Sequence, residues 1–128
     1  MSQGISALIE KDTLMFEYDV HDMRRAVDWY RDIFGLEILF QGGDCHTEFA
    51  LPLPGARLAL SLAGREKSIH KAARLFLRTD DIQAVEEHLK AEGVPLKPIE
   101  NVDDGVRILW VEDSEGNHLA VEQWIGRG

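Results

Sequence analysis

The sequence predicts an α+β protein in which two βαβββ modules build a cup-shaped mixed sheet within one domain, residues 1–128. Three observations carry this. Runs of β-branched and aromatic residues alternate as strands do. Each half holds one segment with apolar residues at helical spacing, placed between its first and second strand-like runs. The whole order then recurs roughly 59 residues further on, which marks an internal repeat.

Residues 13–20, TLMFEYDV, read as the first strand. Asp22 is placed to cap a helix running to about Phe34, with Met23, Ala26, Val27, Tyr30, Ile33 and Phe34 on one face. Gly35 stops it. Strand-like runs follow at 36–41, about 45–51 and 56–62, separated by GGD and PLPG. The second half opens with RLFLRT at 74–79. Asp80 or Asp81 then caps a helix carrying Ile82, Val85 and Leu89, which Gly93 ends. Further strands are predicted near 96–100, 105–111 and 117–124. The modules therefore span about 13–62 and 74–125, with 1–11 a leader and 63–73 a linker.

The bulk numbers restrict function. Net charge is −9, spread evenly along the chain, which excludes the clustered Lys and Arg that a nucleic-acid backbone requires. No apolar run has the length to cross a membrane, and MSQGISALIEKD lacks a basic start followed by an apolar stretch. The single Cys45 can form no internal disulfide, which suits a reducing compartment. A cytoplasmic protein is expected, with Cys45 itself buried and inert.

Alternation assigns faces. In the first strand Leu14, Phe16, Tyr18 and Val20 are expected under the helix, leaving Met15, Glu17 and Asp19 on the far face. In 74–79, Leu75 and Leu77 go under the helix while Arg74, Phe76 and Arg78 face away. In the last strand Leu119 and Val121 are core, and His118, Ala120, Glu122 and Trp124 share the far face. Two such faces curled toward each other make a polar-lined cup. Trp110 shares a strand face with Val106 and Ile108 and could line the cup or a dimer seam.

The segments HDMRRAVDWYRDIFGLEILF and VEDSEGNHLAVEQW, with the duplicated βαβββ order, resemble the vicinal oxygen chelate superfamily over roughly residues 13–125. That group includes glyoxalase I, extradiol dioxygenases, and the bleomycin and fosfomycin resistance proteins. The resemblance implies a metal site at four cup-facing positions. They fall here on Met15, on Ala59 or Ser61, on Arg74 and on Ala120. Apart from a weak Ser hydroxyl, none is a ligand that a divalent metal takes. A displaced set drawn from Glu17, His118 and Glu122 is the alternative.

The expectation is accordingly a metal-free small-molecule binding protein of the glyoxalase/bleomycin-resistance type, without cofactor, and a homodimer. Arg74 and Arg78 would recognise an anion. Glu17, Asp19 and Glu122 would act as acceptors or pair with the arginines, His118 would complete the polar network, and Phe76 with Trp110 or Trp124 would form apolar walls. The competing reading is a lyase, isomerase or dioxygenase using the displaced metal set or a carboxylate base. No nucleophile elbow, phosphate loop or His-Glu-x-x-His motif is present.

Overall fold

A computed structural model describes residues 4–8, 10–63, 74–103 and 105–125. After a short 3-10 helix (Ile5–Leu8), the first module comprises β1 (Leu14–Val20), α1 (Met23–Asp28), β2 (Ile38–Gly42), β3 (His46–Ala50) and β4 (Ala56–Leu62). The second comprises β5 (Arg74–Arg78), α2 (Ile82–Ala91), β6 (Glu100–Asp103), β7 (Val106–Glu112) and β8 (His118–Trp124). The strands form two four-stranded sheets of matching order, β1-β4-β3-β2 and β5-β8-β7-β6. In each, the first and last strands of the module run parallel and the remaining pairs antiparallel. Most of the predicted linker and His70 lie outside the described residues. No helix among those described is long and apolar enough to span a membrane.

Both helices start where the sequence places them. The Asp22 carboxylate accepts from Arg25 N–H, and Asp81 does the same for Ala84 N–H, each satisfying a donor that the first turn leaves open. Gly35 and Gly93 take positive φ at the exits. Helix α1 does not stay regular to Phe34. It passes into a π-helical turn (Trp29–Ile33) in which Phe34 N–H donates back to Trp29 C=O at 3.4 Å. The wider turn lets the neighbours Trp29 and Tyr30 both point inward, where their rings meet edge to face at 4.8 Å.

The helix-facing sides of both sheets contribute to one apolar core. Tyr18, Val20, Phe49, Leu58 and Leu60 from the first sheet join Leu109, Val111 and Leu119 from the second, with Ile82 and Leu89 of α2. Each fully buried Leu contributes roughly 1.5–3 kcal/mol. His88 on α2 lies 2.8 Å from Ile33 C=O, so its imidazole meets the carbonyl end of the other module's helix rather than its own.

The turn between β7 and β8 locks the modules together. Asp113 is buried, and its carboxylate accepts from Tyr30 O–H at 2.6 Å, from the backbone N–H of Glu115 and Asn117 at 2.8 Å each, and from the Asn117 amide at 3.1 Å. Asn117 also donates to Asp19 C=O at 3.2 Å. Glu115 reaches across to α1, accepting from His21 and Asp22 N–H and from Arg25. Tyr18 extends from β1 to donate to His118 C=O, and accepts from Leu75 N–H at 3.0 Å.

Three expectations need correction. The strand predicted near 96–100 begins only at Glu100, because Pro95 and Pro98 withhold the N–H groups that a ladder needs. Leu14 is 67% exposed rather than packed under α1, since it opens a strand whose far end the helix covers. Cys45 is exposed, because it sits in the turn leading into β3 rather than in the strand. The turn before β4 is held by Gly55 at φ +79, where a Cβ would stand 1.6 Å from Asp12 C=O.

The two tyrosines report on this joint. Burial pushes Tyr18 up to about 12, with the Leu75 hydrogen bond opposing and Asp113 assisting, and Tyr30 lies well above the ordinary 10.0 from burial and from Asp113. The neutral phenols favour the folded state, an increment present below pH 10.0 that Tyr18 loses as pH rises through about 12. Absorbance at the phenolate band should therefore stay flat through pH 10.0, where a solvated tyrosine is half ionised. Tyr30→Phe, which leaves Asp113 short of one charged hydrogen bond, should cost roughly 1.5–3 kcal/mol in urea unfolding. Glu115 moves the other way. Burial alone would raise its carboxyl, but Arg25 and the Asp22 and His21 N–H groups outweigh this and hold it below the ordinary 4.5. Its contribution is present above 4.5 and lost as pH falls through the lowered value. The stability gap between wild type and Glu115→Gln should narrow accordingly in acid unfolding.

Candidate functional site

Strand register arranges the face of each sheet that points away from the helices. On the second sheet Arg74, His118 and Glu112 lie in one row across β5, β8 and β7. The next row is Phe76, Ala120 and Trp110, and the next Arg78, Glu122 and Ile108. Val106 pairs with Trp124 at the end. Val106, Ile108 and Ala120 are buried beneath Trp110 and Trp124 as a small apolar cluster of their own. The Arg74 guanidinium lies 5.3 Å from the Trp110 ring centre, and that of Arg78 lies 4.2 Å from Trp124. Phe76 meets Trp110 edge to face at 5.8 Å. Arg78 and Glu122 approach to 4.0 Å. The face thus presents two cation–indole stacks around an apolar centre.

The first sheet carries different chemistry at the equivalent places. Glu17, Ala59, Glu48 and Phe40 form one row, and Asp19, Ser61 and His46 the next. A continuous hydrogen-bonded chain crosses them. Ser61 donates to Glu17 at 3.1 Å and lies 3.0 Å from His46 Nδ1, while His46 Nε2 lies 2.7 Å from Glu48. Arg57 donates to the other Glu48 oxygen at 2.8 Å. Arg57 and His46 together hold the Glu48 carboxyl below its ordinary value. Because β4 lies between β1 and β3, its backbone N–H groups are committed to the ladder, and Ser61 has no adjacent donor pair for an oxyanion.

The residues singled out in the sequence thus fall into two groups. Arg74, Phe76, Arg78, Trp110, His118, Glu122 and Trp124 share one face, and Glu17 and Asp19 share the other sheet's far face. The expected pairing of Glu17 with the arginines is replaced. Glu17 accepts from Ser61, and the arginines stack on indoles of their own sheet, which keeps their charge at the solvent edge. Sequence reading gave no role to His46, Glu48, Arg57 or Glu112. Their place on a face depends on which strand pairs with which and in what register, and no local pattern supplies that.

The four family positions do not fit a metal. Met15 and Arg74 offer no suitable donor, Ala59 and Ala120 are fully buried methyl groups, and the alternative Ser61 hydroxyl is engaged by Glu17 and His46. The displaced set is not gathered. Glu17 lies on the first sheet and accepts from Ser61, while His118 and Glu122 lie on the second with backbones about 13 Å apart along one strand. Among the described residues no three His, Cys, Asp or Glu side chains gather around a point that could hold an ion.

Comparison with known proteins places the chain. The family model described as Glyoxalase/Bleomycin resistance protein/Dioxygenase superfamily matches residues 15–121, and the chain belongs to that family. Among solved structures it is similar to TnmS3, an antibiotic binding protein from Streptomyces sp. CB03234. The TM-score is 0.75 and the identity 26%, covering 91% of this chain and 97% of that one. It is also similar to a lactoylglutathione lyase from Agrobacterium tumefaciens (TM-score 0.73, 19% identity, 89% and 94% covered). TioX from Micromonospora sp. ML1 has the same fold (TM-score 0.71, 20% identity, 88% and 98% covered). No curated protein matches significantly.

The donor set leads to a measurable expectation. Protein dialysed after exposure to Zn, Ni, Mn or Fe salts should retain well under one equivalent by elemental analysis, and Glu122→Gln should leave that value unchanged.

Proposed function

We propose that the protein binds a small organic molecule against its far sheet faces, without metal, in the manner of the bleomycin-resistance type. The observation that carries this reading is the second sheet's pair of guanidinium–indole stacks around the Ala120 floor. Flat apolar surface and directional cationic donors coexist there, which is how ligand sites combine affinity with orientation. The likeness to an antibiotic binding protein at 26% identity points the same way.

The site also wants a second copy. Met15, Phe40 and Phe76 are 52%, 50% and 47% exposed on the two faces, apolar surface that a contact between copies would remove from water. A two-fold dimer would cover them, and light scattering should return a dimer mass that falls only on strong dilution.

A second reading, a lyase or isomerase, draws on one feature, the Glu17–Ser61–His46–Glu48 chain, which could shuttle a proton between its ends. The two readings separate by mutation. Under the binding reading, Arg74→Met and Arg78→Met should each shift the unliganded melting temperature little, since both side chains are exposed, while removing ligand-induced stabilisation by small aromatic carboxylates. Calorimetric melting of both variants with and without such compounds tests it. A ligand response unchanged in both but lost in His46→Gln would favour the proton-transfer reading.

A further inference from the structure

A cleft of about 460 Å³ opens at the end of the second sheet, where Arg74, His118 and Glu112 meet Leu96 and Lys97 of the α2–β6 loop, with Trp110 as its wall. Its charges are unmatched in a specific way. Arg74 makes a cation–indole stack but no ion pair among the described residues, and Glu112 and Lys97 make none either. A cation and a carboxylate thus sit on one row of one face without neutralising each other. Register puts them on either side of His118, so their backbones are two strand spacings apart, about 10 Å. The neighbouring row, Phe76, Ala120 and Trp110, is apolar.

We infer that this cleft takes the zwitterionic head of an α-amino acid, or of a molecule that carries one, with an apolar side chain. Arg74 receives the carboxylate and Glu112 receives the ammonium group, with Lys97 on the loop that lines the same cleft. An ammonium and carboxylate about 3 Å apart, each about 3 Å from its partner, match the spacing of about 10 Å across the row from Arg74 to Glu112. His118 lies between them as a hydrogen-bonding neighbour to either. The apolar side chain runs along the sheet onto Trp110 and Phe76. A simple anion would engage the arginine and leave Glu112 facing like charge; a simple cation would do the reverse. A ligand with both signs, closely spaced, engages both ends of the row, while the cleft's other carboxylate, Glu100, accepts from Trp110 Nε1 at 3.1 Å. This inference rests on the small-molecule reading above and names the ligand class of the same face.

Titration calorimetry on the intact chain tests it with L-phenylalanine, 3-phenylpropionate (which lacks the amine) and L-phenylalaninamide (which lacks the carboxylate). A planar aromatic anion, anilinonaphthalene sulfonate, serves as a probe of the face alone. The expected result is L-phenylalanine binding with a Kd below about 1 mM and about tenfold or more tighter than either truncated analogue. Glu112→Gln should erase the preference over 3-phenylpropionate, and Arg74→Met the preference over the amide. Equal affinity for L-phenylalanine and 3-phenylpropionate, or a preference that survives Glu112→Gln, overturns the inference. If the aromatic anion binds and L-phenylalanine does not, the zwitterion assignment falls while the small-molecule reading stands. If neither binds, both fall.

Discussion

The Asp113 carboxylate is the constraint on which the arrangement of the two modules depends. One buried anion collects a phenol, two backbone N–H groups and an amide, and so fixes the β7–β8 turn, the direction of Tyr30 and the position of Asn117 at once. A buried charge is tolerable only when its lone pairs are satisfied, and the donors here come from both modules. Asn117 then grips Asp19 C=O of β1, and Glu115 grips the start of α1. The first strand and helix of one half are thereby held against the last strand of the other, and each far sheet face is left clear of that joint.

This division of labour explains why the far faces carry the chemistry. Their neighbours in the ladder are fixed by hydrogen bonds and their backs are fixed by the core, so side chains there can be polar without loosening the fold. Position for position, the two modules have used that freedom differently. Glu17 and Phe76 occupy equivalent places on the first strands, as do Glu48 and Trp110 on the third, each opposite the module's central alanine. The first face carries a hydrogen-bonded network of Glu17, Ser61, His46 and Glu48, and the second an aromatic, arginine-bearing surface.

Much of the fold was legible because it rests on local rules. Helix caps at Asp22 and Asp81, positive-φ glycines at 35 and 93, and alternation in 14–20 and 118–124 all follow from short-range chemistry. What escaped reading is long-range or depends on geometry between elements. The π turn at Trp29 answers a demand of the core for two adjacent aromatics. The late start of β6 reflects prolines whose effect shows only once the ladder exists. Glu48 and Glu112 were overlooked because their strands had to be paired before a face could be assigned to them. Arg74 and Arg78 lie on the expected face, and Arg78 approaches Glu122 as expected, but both also stack on indoles and neither pairs with Glu17.

The alanine at the centre of each far face has a further consequence for how this sequence can drift. Ala59 and Ala120 are both fully buried although they lie on the side away from the main core, Ala120 beneath Trp110 and Trp124. At most buried positions the ruling property is hydrophobicity, and a somewhat larger aliphatic residue is absorbed by repacking. At these two it is a ceiling on height. One added carbon would lift the floor between Phe76 and Trp110, or between Glu17 and Glu48, and change the depth of the surface without disturbing the fold beneath it. Substitutions at 120 and at its neighbours 119 and 121 should therefore be filtered by different criteria, size in the first case and apolarity in the others.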